Sequence, residues 1–94
     1  MIVSFRDRET ERIWNGERSR RLPPWIHSGA LRRLRWMNRA VTLSDLATPR
    51  GNRLEAMAGD RLGQFSIRVN DQWRICFRST ERGPENVEIV DYHA

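Results

Sequence analysis

Between Gly63 and Ser79 the chain alternates apolar and polar residues twice in succession. Phe65, Ile67 and Val69 interleave with Gln64, Ser66 and Arg68; Trp73, Ile75 and Phe77 interleave with Arg74, Cys76 and Arg78. A period of two marks strands buried on one face. The loop between the two runs sets their register. A two-residue loop of Asn70-Asp71 places Ile67 opposite Arg74 and mixes the faces. A three-residue loop of Asn70-Asp71-Gln72 places Val69 opposite Trp73 and Ile67 opposite Ile75. A slip of one residue turns a whole strand over, so the three-residue loop is expected. This register also sets Arg68 opposite Arg74 on the polar face, where like charges repel by about a few tenths of a kcal/mol. Either both side chains splay into solvent, or an anion such as a phosphate accepts hydrogen bonds from both guanidinium groups. The arginines around this hairpin, Arg53 and Arg61, favour the anion.

The rest of the chain reads as cover for one face of a small sheet. Ile2 to Phe5 is a short apolar run expected to be a first strand. Asp7 is a suitable N-cap for a helix to about Asn15, ended by Gly16. Glu17 to Leu22 is a basic loop. Pro23-Pro24 opens the longest helix, with Ile26, Ala30, Leu34, Met37 and Val41 as its apolar stripe and Arg32, Arg33, Arg35 and Arg39 off it. Trp25 and Trp36 are expected to pack, and His27 to sit at the surface or cap the helix. Thr42 to Leu46 suggests one helical turn, and Thr48 to Gly51 a loop. Further strands are expected at Asn52–Met57 and at Val87–Tyr92, the latter joined to the hairpin by a connection from Arg78 to Asn86 containing Gly83-Pro84. The order β-α-α-β-β-β-β is that of an α+β fold, two N-terminal helices on one face of a mostly antiparallel sheet.

Composition narrows the partner. The 94 residues carry a net charge of +5 and all 17 basic residues are arginine. A balance of that sign points to an acidic partner, most often nucleic acid. Charge is uneven: residues 1–40 hold ten Arg against four acidic residues, and residues 41–94 hold seven against eight. The helical half therefore sets the long-range field, and the strand half holds the more selective arginines. Without lysine there is no ammonium group for acid–base work. The lone Cys76 has no disulfide partner and fits a small half-buried strand position. No run of 18 apolar residues is present, nor an apolar leader at the N-terminus, so a cytoplasmic location without membrane attachment is expected.

In order along the chain stand Arg53-Leu54-Glu55, Gly59-Asp60-Arg61, Gly63-Gln64, Ser66-Ile67-Arg68-Val69-Asn70, Trp73-Arg74-Ile75-Cys76-Phe77 and Val90-Asp91-Tyr92-His93. This series, with the opening Met1-Ile2-Val3-Ser4-Phe5, resembles the HigB branch of the RelE/ParE toxin superfamily over nearly the whole chain. The resemblance implies one RelE-like toxin domain over residues 1–94. It implies a toxin of a toxin–antitoxin operon that enters the ribosomal A site, contacts rRNA and cleaves mRNA there, and a helix-turn-helix antitoxin, HigA, that neutralises it. The implied reaction, attack of a 2′-hydroxyl on the adjacent phosphate, needs in-line placement, a proton acceptor and donor, and cations on the developing charge, but no metal or other cofactor. Carried onto this chain, the resemblance implies that Arg74 stabilises the phosphorane, Arg61 binds the scissile or a neighbouring phosphate, Tyr92 stacks on or orients the nucleotide, and Asp91 orients Tyr92 or an arginine. Arg68 joins the RNA-binding set through the register argument, and Arg53 and His93 are further candidates. The chain departs from the family at two places: many members carry His and Lys just before Gly-Asp-Arg, where this sequence has Glu55 and Ala58. A positioned acid or base contributes about 10²–10⁴-fold, so weak or moderate cleavage is expected unless Glu55 serves as the base. Two other readings stand beside this one: a non-enzymatic inhibitor of DNA gyrase, like the ParE branch, and a plain basic RNA-binding module held by charge.

Overall fold

The computed structural model describes residues 1–92, with Arg50 described by its backbone only. Three helices precede a four-stranded antiparallel meander. The helices are α1 (Arg8–Trp14), α2 (Pro24–Arg39) and α3 (Leu43–Ala47); the strands are β1 (Glu55–Ala56), β2 (Phe65–Arg68), β3 (Trp73–Thr80) and β4 (Gly83–Asp91), in the spatial order β1-β2-β3-β4. Helices α1 and α2 pack on each other and both touch β4, so the α+β class and the one-sided arrangement are as expected.

The hairpin has the expected register. Ile67 pairs with Ile75 and Arg68 with Arg74, and Val69 N–H donates to the Trp73 carbonyl at 2.8 Å. Asn70 closes the three-residue loop: its Oδ1 accepts from Gln72 N–H at 2.8 Å and Trp73 N–H at 2.9 Å. Ile67, Val69, Trp73, Ile75, Phe77, Val87 and Ile89 then form one sheet face against Ile13, Leu22, Ile26, Ala30, Leu34, Met37 and Leu46. The edge of β4 is covered locally by α1, where buried Thr10 Oγ1 accepts from Ile89 N–H at 3.0 Å. The helix starts follow their sequence signals. Asp7 accepts from Thr10 N–H at 2.7 Å, and Thr42 with Asp45 makes a capping box on α3. The N–H groups of Val41 and Thr42 hold the Asp45 carboxyl below the usual carboxylate range.

Several expectations need correction. The N-terminal segment makes one parallel bridge, Phe5 to Val87, rather than a strand. Asn86, at φ 53, interrupts the extended run of β4 just where that segment comes alongside. Val41 leaves the apolar stripe and is 90% exposed, because α2 ends at Arg39 and Ala40 is extended. Trp25 and Trp36 do not pack into the core; they are 77% and 38% exposed. Each precedes a buried residue, Ile26 or Met37, by one position, which is about 100° around a helix. The strand expected at Asn52–Met57 shrinks to β1, since Arg53 at φ 42 lies in left-handed space and breaks the extended run before Glu55. The long connection expected before Val87 is a tight turn. Thr80 Oγ1 donates to the Gly83 carbonyl at 2.7 Å, and β4 begins at Gly83. Pro84 is tolerated there because β4 is an edge strand, and its carbonyl accepts from Val3 N–H.

Candidate functional site

The sheet face turned away from the helices carries the polar set. From β2 come Ser66 and Arg68, from β3 Arg74 and Cys76, from β4 Glu88, and from β1 Glu55, which is paired with Ser66; Val90 pairs with Arg74 on the same face. At its centre is Arg74, only 6% exposed. Its Nε donates to Ser66 Oγ at 2.7 Å, and its Nη2 donates to the Arg53 carbonyl at 2.6 Å and the Ser66 carbonyl at 3.2 Å. Glu55 stands 4.0 Å from Nη2, with half its side chain in solvent. The left-handed turn at Arg53 thus has a use: it aims a carbonyl at the guanidinium from outside the sheet. These bonds employ Nε and Nη2. The two N–H groups of Nη1 make no hydrogen bond among the described residues, and they are not sealed from solvent. The Tyr92 ring lies over the same guanidinium at 5.8 Å.

Arg61 reaches this face from the 3₁₀ turn Gly59–Arg61. Its Nη1 donates to Glu88 Oε1 at 3.1 Å and to Gln64 Oε1 at 3.2 Å. Glu88 pairs across the sheet with Cys76, two residues from Arg74. Cys76 is therefore bracketed by the two arginines. Burial pushes its thiol up, and Arg61 and Arg74 pull against that shift. Its 0% exposure makes it a sheet-packing residue.

Arg61, Arg74, Tyr92 and Glu55, four of the residues singled out in the sequence, share this face. Arg68 shares it too but does not join Arg74 on a common partner. Its Nη2 donates to Asp71 Oδ1, while Arg74 turns toward Ser66, so the cross-strand repulsion is relieved by divergence. Arg53 serves through its carbonyl, its side chain being exposed. Asp91 lies at the end of β4, where its Oδ2 accepts from Gln72 Nε2 at 3.1 Å; the Gln72 carbonyl in turn accepts from Tyr92 N–H at 2.6 Å. His93 lies outside the described residues. Ser66, Glu88 and Gln64 were not expected from sequence. Ser66 was visible only as a polar position of an alternating strand, and Glu88 comes beside Cys76 through a register that includes a shift between Cys76 and Arg78. Among the described residues no group of His, Cys, Asp or Glu is arranged to hold a metal, and no helix is long and apolar enough to cross a membrane.

A sequence profile described as the RelE-like toxin of type II toxin–antitoxin system HigB matches residues 3–93. The chain is also 37% identical over 79 residues to Toxin HigB-1 of Vibrio cholerae serotype O1 (strain ATCC 39315 / El Tor Inaba N16961), an alignment covering 83% of each protein. With a match over nearly its full length, the chain belongs to the HigB family of RelE-like toxins, the toxin component of type II toxin–antitoxin systems.

Proposed function

We propose that this toxin is an endoribonuclease that enters the ribosomal A site as a single domain and cleaves mRNA there by 2′-hydroxyl attack on the adjacent phosphate. The observation that carries the reading is Arg74: a nearly buried guanidinium, locked on two of its three nitrogens, offering the third beside an aromatic ring. A cation fixed before the substrate arrives needs no reorganisation as charge develops on the phosphorane, which is the condition for strong electrostatic stabilisation. Tyr92 orients a nucleotide against that cation, and Asp91 holds the strand end through Gln72. Arg61 contributes a second positive edge, partly neutralised by Glu88. Among the described residues Glu55 is the carboxylate within ion-pair distance of Arg74, and half its side chain is in water, which suits it to accept the 2′-hydroxyl proton. Arg68 and the Arg53 side chain bind flanking phosphates, and His93 is a further RNA-binding candidate. The partners are mRNA and rRNA in the ribosome and a HigA-like helix-turn-helix antitoxin.

With Glu55 and Ala58 where relatives bear His and Lys, cleavage is slow to moderate. Primer extension on mRNA in programmed ribosomes, with added purified protein, tests the reading. Discrete cuts at the A-site codon are expected, slower than those of a relative retaining both residues. Intact mRNA accompanied by cleaved DNA would favour gyrase inhibition, and intact mRNA with salt-sensitive RNA binding a plain binding module.

A further inference from the structure

One strongly basic group is left over by that reading. On α2, Arg32, Arg33 and Trp36 line a cleft of ≈ 280 Å³ against Pro49, Gly51 and Asn52 of the turn that leads to Arg53. Arg33 is half-buried there. Its Nη1 donates to the Gly29 carbonyl at 3.2 Å, but its buried Nε has no hydrogen-bond partner among the described residues. No carboxylate is within ion-pair distance of Arg32 or Arg33 among the described residues. Burial, then repulsion from Arg32 and Arg68, pushes Arg33 below the ordinary arginine value. A buried donor without an acceptor is costly, so this guanidinium is not fully satisfied by the protein's own acceptors. The cleft ends at Asn52, next in the chain to Arg53, whose carbonyl accepts from Arg74. Gly29, whose carbonyl accepts from Arg33 Nη1, packs next to Val69, the residue that follows Arg68 at the end of β2. Arg68 in turn faces Arg74 across the strands.

We infer that the α2 cleft is a second phosphate subsite, in which Arg33 and Arg32 bind the backbone of the same RNA strand whose scissile phosphate lies at Arg74, with Arg68 between them. The inference rests on RNA being the ligand and adds to it a direction: the strand leaves Arg74 toward α2. The exposed Arg32 and the Nη2 edge of Arg33, which makes no hydrogen bond among the described residues and is not sealed off, suit phosphate oxygens, and the 38%-exposed Trp36 at the rim suits a base or sugar.

The test uses a fluorescent eight-nucleotide RNA with 2′-O-methyl sugars throughout, which binds but has no free 2′-hydroxyl to attack. Anisotropy titrations at several salt concentrations compare wild type, R33Q and R8Q, the last removing an exposed charge on α1. We expect R33Q to weaken binding by about tenfold and to lower the slope of log K against log salt by about 0.7, the share of one single-strand phosphate, with R8Q much nearer wild type. In wild-type protein the Arg33 Nε–H resonance should shift on adding the same RNA, a readout that does not depend on the variant folding. R33Q and R8Q giving equal slopes, or an unmoved Arg33 Nε–H signal, overturns the subsite. Because the probe cannot be cut, a failure of cleavage elsewhere leaves this result standing, and loss of the subsite leaves the nuclease reading standing.

Discussion

The arginines of α2 and those of the outer sheet face carry the same group under opposite conditions. Arg32, Arg35 and Arg39 lie in water, and Arg39 rests over Trp36 at 5.6 Å. Arg74 is enclosed, with donors aimed at Ser66 and at the Arg53 carbonyl, and Arg61 is clasped by Glu88 and Gln64. Solvated charges act at a distance and are screened within about 10 Å at 0.1 M salt. A charge held by the fold acts at one point and keeps its effect in salt. On the proposed reading, one region gathers an anionic partner and the other fixes where chemistry happens.

Removing Arg74 should break this comparison most severely. Arg74→Ala is expected to slow single-turnover mRNA cleavage by about 10²–10³-fold. It should also destabilise the fold by about 1–3 kcal/mol in urea denaturation, because Ser66 Oγ, fully buried, loses its donor. Ser66→Ala comes next. It touches no substrate, so it acts by letting Arg74 drift; a misplacement of that kind lowers rate by up to about 10²-fold. The loss should appear in kcat with KM little changed, and the Arg74 Nε–H resonance should move, whereas a purely structural role would lower stability alone. Arg35→Gln, on the solvated side, should have the smallest effect. We expect association with ribosomes to slow by a few-fold at low salt and the difference to vanish at high salt, with the saturating single-turnover rate unchanged. An Arg35→Gln loss that persists in high salt would erase the distinction between the two regions.

What the sequence disclosed follows the same division. The hairpin register was readable because only one loop length keeps Ile67, Ile75 and their neighbours on one face, and that register alone put Arg68 opposite Arg74. The cap at Asp7 and the helical turn from Thr42 were readable because they are local. The cradle of Arg74 was not. A positive φ at Arg53 has no sequence mark, since the position is neither Gly nor Asn, and a carbonyl that accepts from 21 residues away is a tertiary choice. Ser66 was hidden as one polar letter in an alternating strand. Trp25 and Trp36 were misjudged by type: their size suggested burial, but their phase on α2 decided otherwise. The family motifs located Arg61 and Tyr92, yet that Arg61 is already paired with Glu88 appears only in the fold.

The central claim is that Arg74 and Tyr92, 5.8 Å apart, operate as one unit on one phosphate. A double-mutant cycle measures this directly: single-turnover cleavage of ribosome-bound mRNA by wild type, Arg74→Lys, Tyr92→Leu and the double variant. Groups that act as a unit are strongly non-additive, so the double variant should be scarcely slower than the slower single variant. Losses that multiply in full, or single variants that cut as fast as wild type, would contradict the account.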